Sequence, residues 1–207
     1  DGAVFHRRDR TRTDDKFIMI YPGTLAWHQG LDIAVRAFDR IRERAPNAEF
    51  HIYGRGQELE NIRALIQRLD LTGRVHLLDP IPLEDVAAAV SNADLGIIPK
   101  RNGPFGGDAF STKILEFMAL GVPAIVSETR IDRRYFNDTV VKFFRPDDVE
   151  DLSRAMIALV EDRDMRESFA KNAYTFVSGF SWEAKKVRYF LLVDRLVSFN
   201  ALPGVSA

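Results

Sequence analysis

The chain has 207 residues, 46% hydrophobic and 29% charged, a balance that describes a folded globular protein rather than a disordered one. Its net charge of −1 supplies no basic field, so no nucleic-acid partner is expected. The absence of cysteine excludes disulfides, thiol catalysis and Cys-ligated zinc, and no apolar run approaches the roughly 18 residues of a membrane-spanning helix.

Residues 6–16 form a charged tract that reads as a solvated lead-in, and residues 17–200 as one domain. Phe17-Ile18-Met19-Ile20-Tyr21 is a continuous apolar run of strand length, as in a strand buried on both faces. Leu31, Ala34, Val35, Phe38 and Ile41 then follow at helical spacing. A second strand is expected at 49–53, a helix carrying Leu59, Ile62, Leu65, Ile66 and Leu69, a third strand at 75–78 and a short helix at 83–91. A fourth strand is expected at 94–99, a fifth at 123–127 and a sixth at 140–144. Beyond Pro146 the pattern turns helical, with faces beginning at Val149, Met165 and Trp182. Alternating strands and helices predict an α/β, Rossmann-like fold: a six-stranded parallel sheet with helices on both faces, plus C-terminal helices.

The opening Asp1-Gly2-Ala3 has neither a Met nor a signal-peptide pattern and reads as a fragment or a processed chain. A reducing, cytoplasmic setting is expected. The histidines (His6, His28, His51, His76) show no clustered spacing, so no metal is expected. Asp162-Arg163-Asp164 reads as a charged turn between helices rather than a cation site.

Ligands of open parallel sheets sit beyond the carboxyl ends of the strands, which directs attention to the loops there. In the first loop, Gly23 either lets a ligand approach the backbone or makes a tight turn, and Trp27 and His28 either meet ligand or cap the sheet edge. Gly54-Arg55-Gly56-Gln57 lacks the third glycine of a dinucleotide fingerprint and follows the second strand. Arg55 there either meets phosphate or pairs with a neighbouring carboxylate. The loop at Ile81 and Pro82 is rigid and offers backbone groups to a flat base.

The most informative stretch runs from Gly106 to Pro123. A pliable Gly-rich loop leads to Asp108, then to Ser111 or Thr112 as a helix N-cap whose hydroxyl takes a free N–H. Ile114, Leu115, Met118 and Ala119 would form the buried face, and Gly121 with Pro123 the stop. Free N–H groups at such a helix start attract phosphate. Glu116 lies in the second turn, with Lys113 three residues before it as a partner.

These residues resemble the C-terminal, nucleotide-sugar-binding domain of GT-B-fold retaining glycosyltransferases of the large sucrose-synthase-like and mannosyltransferase-like family, from about Phe17 to Trp182. The family's Glu-x7-Glu motif reads as Asp108…Glu116, followed by Phe117-Met118-Ala119-Leu120-Gly121-Val122-Pro123-Ala124-Ile125. Its Gly-x-Gly turn reads as Gly54-Arg55-Gly56-Gln57, and its terminal Phe-Ser-Trp as Phe180-Ser181-Trp182. The resemblance implies that Glu116 holds ribose hydroxyls and Asp108 the transferred sugar. It implies that Ala109, Phe110, Ser111, Thr112 and Lys113 face sugar and phosphates, that Gly23 approaches the diphosphate, and that Ile81 and Pro82 lie beside the base. The donor is a co-substrate, and neither cofactor nor metal is implied; catalysis rests on electrostatic stabilisation of the diphosphate leaving group.

Two positions depart from the family. Gly23-Thr24 and Gln29-Gly30 stand where it has Gly-Arg and Lys-Gly, so Arg55, Lys100, Arg101 or Lys113 would have to supply the lost charge. Asp108 is also one methylene shorter than the family's Glu. The resemblance further implies an N-terminal acceptor domain outside this chain, with any peripheral membrane contact made through it. The isolated chain is then expected to transfer little. A non-catalytic binding or assembly module and a nucleotide-sugar epimerase are the alternatives.

Overall fold

The computed structural model describes residues 2–103 and 105–200, with the side chains of the last two excepted. Six parallel strands form one sheet in the order β3-β2-β1-β4-β5-β6. They are β1 (Phe17–Pro22), β2 (Ala48–Tyr53), β3 (Val75–Leu78), β4 (Leu95–Ile98), β5 (Ala124–Ser127) and β6 (Lys142–Phe144). Helices α1 (Leu31–Ile41), α2 (Leu59–Arg68), α3 (Leu83–Ser91), α4 (Thr112–Leu120) and α5 (Arg130–Tyr135) connect them, and α6 (Val149–Glu161), α7 (Arg163–Ser178) and α8 (Trp182–Asn200) follow. The Rossmann-like, doubly wound architecture read from the alternation is therefore the one observed.

Two hydrophobic clusters flank the sheet. Met19, Tyr21, Phe50, Ile52, Leu95 and Ile97 face α1, α2 and α6, whereas Ile18, Ile20 and Ile98 face α3 and α4. Strand β1 contributes to both, which explains its unbroken apolar run. Strand β2 instead alternates, with Ala48, Phe50 and Ile52 buried and Glu49, His51 and Tyr53 half-buried.

Helix α4 departs from its expected face. The buried side chains are Ile114, Phe117, Met118 and Leu120, while Leu115 and Ala119 are only half-buried. Phe117 takes the central place because β4 carries Gly96 beneath it: a Cβ there would lie 2.7 Å from the ring. Gly96→Ala is therefore expected to cost about 1–3 kcal/mol through overpacking. Urea denaturation checks this, and the loss should shrink in a Phe117→Leu background.

The six-residue α5, missed in sequence, is too short and charged to show periodicity; Thr129 caps it by accepting from Asp132 N–H. Strand β4 starts one residue later than expected because Asp94 is used otherwise. Its carboxylate accepts from Ile18 N–H at 2.7 Å and from Arg10 and Arg12, which dock the lead-in on the sheet, with Phe5 buried in the second cluster. Asp162 caps α7 by accepting from Met165 N–H at 2.8 Å, a structural use of the Asp-x-Asp turn. That turn borders an open concavity of about 520 Å3 lined by Ala158, Glu161 and Arg163, on the C-terminal helices rather than at the strand ends.

In α8, Trp182, Val187, Phe190, Leu191 and Val197 are all exposed. No helix among the described residues is long and apolar enough to cross a membrane.

Candidate functional site

Strand order reverses between β1 and β4, and open parallel sheets take ligands in the crevice beyond the carboxyl ends at such a switch point. Two loops border it, 23–30 after β1 and 99–111 after β4. They are drawn together by Gly30, whose left-handed backbone (φ 67°) permits close contact with the start of the second loop: a Cβ there would lie 2.0 Å from the Pro99 carbonyl oxygen. Arg101 adds a second tie. It donates from its backbone to His28 C=O, stacks its guanidinium 4.7 Å from the Trp27 ring centroid and pairs with Asp32 and Asp147. His28 packs edge-on against Phe105. Trp27 and His28 thus serve contacts within the protein.

The glycines of the second loop have a packing role. A Cβ on Gly54 would lie 1.8 Å from Gly23 O, and one on Gly56 2.1 Å from Leu25 O. Backbone bonds from Gly23 N–H to Tyr53 C=O (2.8 Å) and from Leu25 N–H to Arg55 C=O (2.9 Å) lace the two loops. Arg55 is exposed and pairs with exposed Asp79 at 3.0 Å, the outcome left open beside phosphate contact. Ile81 is half-buried, and Pro82 stands at the start of α3 with its carbonyl accepting from Val86 N–H.

A buried ion pair holds the 99–111 loop. Lys100, 3% exposed, donates to Ala109 C=O at 2.7 Å and lies 2.8 Å from the carboxylate of fully buried Asp132. Thr129 donates to the same carboxylate oxygen at 2.6 Å, leaving Asp132 Oδ1 without a partner. Both backbone groups of Ala109 are engaged, its N–H with Phe105 C=O and its C=O with Lys100. Of the residues expected to face a ligand, Ala109 thus has its backbone tied within the protein. Phe110 packs against Tyr135 and Phe136, anchoring the segment on α5.

At the start of α4, Ser111 holds the N-cap position with extended backbone, but its hydroxyl makes no cap bond. It is buried and has no partner, so the expected hydroxyl cap is not formed. The first-turn N–H groups are left without a side-chain cap, and Thr112 is exposed. Lys113 reaches from this turn toward the first loop: a Cβ on Gly23 would lie 3.1 Å from its ammonium nitrogen. That ammonium lies 5.3 Å from the centroid of the Tyr21 ring, and the Tyr21 hydroxyl, with one proton to share, lies 2.9 Å from Thr24 C=O and 3.1 Å from Gln29 Oε1. Burial pushes the Lys113 pKa down; Glu116 opposes the shift and Lys100 adds to it.

Among the described residues no ion pair joins Lys113 to Glu116, contrary to the expected partnership, and no hydrogen bond engages the half-buried Glu116 carboxylate. Asp108 accepts from Arg130 at 2.6 Å across the crevice rim, a pairing the sequence did not disclose. Of the four cations considered for the lost charges, Arg55, Lys100 and Arg101 are engaged with carboxylates. Lys113 is the one set beside Gly23.

Residues 4–176 match the family model described as glycosyl transferases group 1. The chain belongs to this family. It is similar to the phosphatidyl-myo-inositol mannosyltransferase of Mycolicibacterium smegmatis, 28% identical over 155 residues, which cover 74% of this chain and 38% of that protein. Its fold is similar to that of sucrose-phosphate synthase from Thermosynechococcus elongatus, with a TM-score of 0.85 at 23% identity over 96% of this chain and 51% of the other. It is also similar to the Anabaena protein HepE, solved in complex with UDP and glucose, with a TM-score of 0.75 at 20% identity over 86% of this chain and 49% of the other. The chain spans 38–51% of the length of these relatives, and its single sheet matches one half of their GT-B fold. The chain thus carries one Rossmann-like half of the fold its family shares.

The parallel register of β2 and β3 also pairs His51 with His76, which linear spacing does not show. With Glu49 they cluster in space, their nearest donor atoms within 4.8 Å of one another, so these two histidines are not scattered in the fold.

Proposed function

We propose that this chain is the donor-binding half of a glycosyltransferase that moves a sugar from a nucleoside-diphosphate sugar to an acceptor held by a second domain. The observation that carries this reading is the convergence of an uncapped α4 N-terminus, the Lys113 ammonium and the Gly23 turn at the β1/β4 switch point. Free N–H groups and an ammonium in one crevice suit a diphosphate. HepE, of the same fold, was solved with UDP and glucose, which supports a nucleotide sugar as the ligand class.

In this reading the Glu116 carboxylate accepts from the ribose hydroxyls, and Asp108 exchanges Arg130 for hydroxyls of the transferred sugar. The bond from the anomeric carbon to the diphosphate oxygen breaks with its electron pair on the nucleotide. The α4 N–H groups and Lys113 stabilise that charge as an oxocarbenium-like sugar forms. The acceptor oxygen then bonds to the anomeric carbon and its proton passes to the departing phosphate oxygen, with retention and without a metal.

Calorimetric titration of the chain with UDP, GDP and ADP tests the binding step. One of them should bind, and Glu116→Ala should weaken it about 10- to 100-fold, the worth of a charge-assisted hydrogen bond. Binding unaltered by Glu116→Ala would contradict the ribose assignment.

The Asp108–Arg130 pair and the engagement of Arg55, Lys100 and Arg101 favour a second reading, a non-catalytic nucleotide-sugar-binding module. Full-length protein that binds donor yet neither transfers nor hydrolyses it would support that reading.

A further inference from the structure

On the face of β2 that bears Glu49, His51 and Tyr53, only Tyr53 joins the neighbouring hydrophobic cluster, and no residue of β3 does, among the described residues. The strip left open carries three donor groups. Glu49 and His51 are two residues apart on one strand, and the register sets His76 directly across from His51. The two imidazole rings meet edge to face at a centroid distance of 5.1 Å.

Both imidazoles aim the same atom at the same target. His51 Nε2 lies 2.9 Å, and His76 Nε2 3.4 Å, from one oxygen of Glu49. The three donor atoms all lie within 4.8 Å of one another. A four-coordinate zinc ion with bonds of about 2.0–2.1 Å sets its ligand atoms roughly 3.3 Å apart. The two contacts to Glu49 lie within a few tenths of an ångström of that, and the two imidazole nitrogens, within 4.8 Å of each other, close on the ion by rotation of the rings. The second Glu49 oxygen is held by Lys16 Nζ at 2.6 Å, the outer hydrogen bond that orients ligating carboxylates. Side-chain exposures of 15%, 24% and 34% leave the group reachable from solvent.

We propose that Glu49, His51 and His76 bind one transition-metal ion of the zinc type, clipping β2 to β3 at the edge of the sheet, with water completing its coordination. Two imidazole nitrogens and one carboxylate suit Zn2+ or Co2+ and disfavour Mg2+ and Ca2+, which take all-oxygen sites. Glu49 and His76 are each the second residue of their strands, and the crevice lies beyond the opposite, carboxyl ends. The site is therefore remote from the proposed donor site, and its binding of an ion is independent of nucleotide binding.

Chelator-treated chain is titrated with Zn2+ by calorimetry and with Co2+ by visible absorption. One ion per chain is expected, with the intense bands of four-coordinate cobalt and a rise in melting temperature on adding Zn2+. His51→Gln and His76→Gln, which keep polar side chains on this open face, should each weaken binding about tenfold or more. Mg2+ should give no heat. Absence of Zn2+ binding, or binding that is unchanged in the His51→Gln/His76→Gln double variant, overturns the site. So does a loss of nucleotide affinity on chelation in a variant-independent manner, because it would place the ion elsewhere.

Discussion

Lys100→Ala is expected to destabilise the domain by about 3–5 kcal/mol, the usual consequence of removing one member of a buried ion pair. At roughly 2–4 °C per kcal/mol for a domain of this size, the melting temperature should fall by about 6–20 °C. The reason is local. Asp132 is fully buried and already has one unpartnered oxygen, so loss of the ammonium leaves a carboxylate with only Thr129 as a hydrogen-bond donor. The same change frees the Ala109 carbonyl and unties the segment that carries Asp108 to Ser111. Pairing Lys100→Met with Asp132→Asn removes both charges, and the double variant should lose less than the sum of the singles. Thermal denaturation of the four proteins checks this; strict additivity would show that the two groups do not act as a pair.

Lys113→Ala is expected to weaken nucleoside-diphosphate binding about 10- to 100-fold while leaving the fold intact, since no described ion pair depends on it. Its ammonium stands beside Gly23, in the turn that the proposed reading sets against the diphosphate. The pH dependence supplies a second signature. Burial holds the Lys113 pKa below the ordinary lysine value of about 10.4. As pH rises through that lowered value the charge is lost, so affinity should fall on the alkaline side earlier than an exposed lysine would allow. Lys113→Arg keeps the charge and should abolish the alkaline fall. Titrations across pH for the three proteins check it, and an identical alkaline limb in Lys113→Arg would assign the titration to another group.

Much of the fold could be read because its signals are local. The apolar run at 17–21, the helical spacings and the Gly121 stop each act within a few residues, and Gly121 indeed ends α4 in the left-handed region (φ 73°). Contacts set by register or by loop-to-loop packing could not be read in this way. Gly54 and Gly56 looked like a ligand turn, yet each makes room for the backbone of the first loop. His51 and His76 are distant in sequence and become neighbours only through the β2–β3 pairing. Ser111 was recognisable as an N-cap by position, but its hydroxyl is buried without a partner, an outcome of tertiary packing that no local signal carries. The motif Asp108…Glu116 directed attention to the candidate site. That Lys113, unlike Arg55, Lys100 and Arg101, is engaged by no described carboxylate emerged only from the three-dimensional contacts.

The role given to the β1/β4 crevice is tested most directly by amide chemical-shift mapping of the chain titrated with UDP, GDP and ADP. At least one nucleotide should perturb a contiguous set centred on Gly23, Thr24 and Phe110 to Lys113, with the Lys113→Ala protein requiring far higher concentrations for the same shifts. Shifts confined to the C-terminal helices, or none with any nucleotide, would contradict a diphosphate site at the α4 N-terminus.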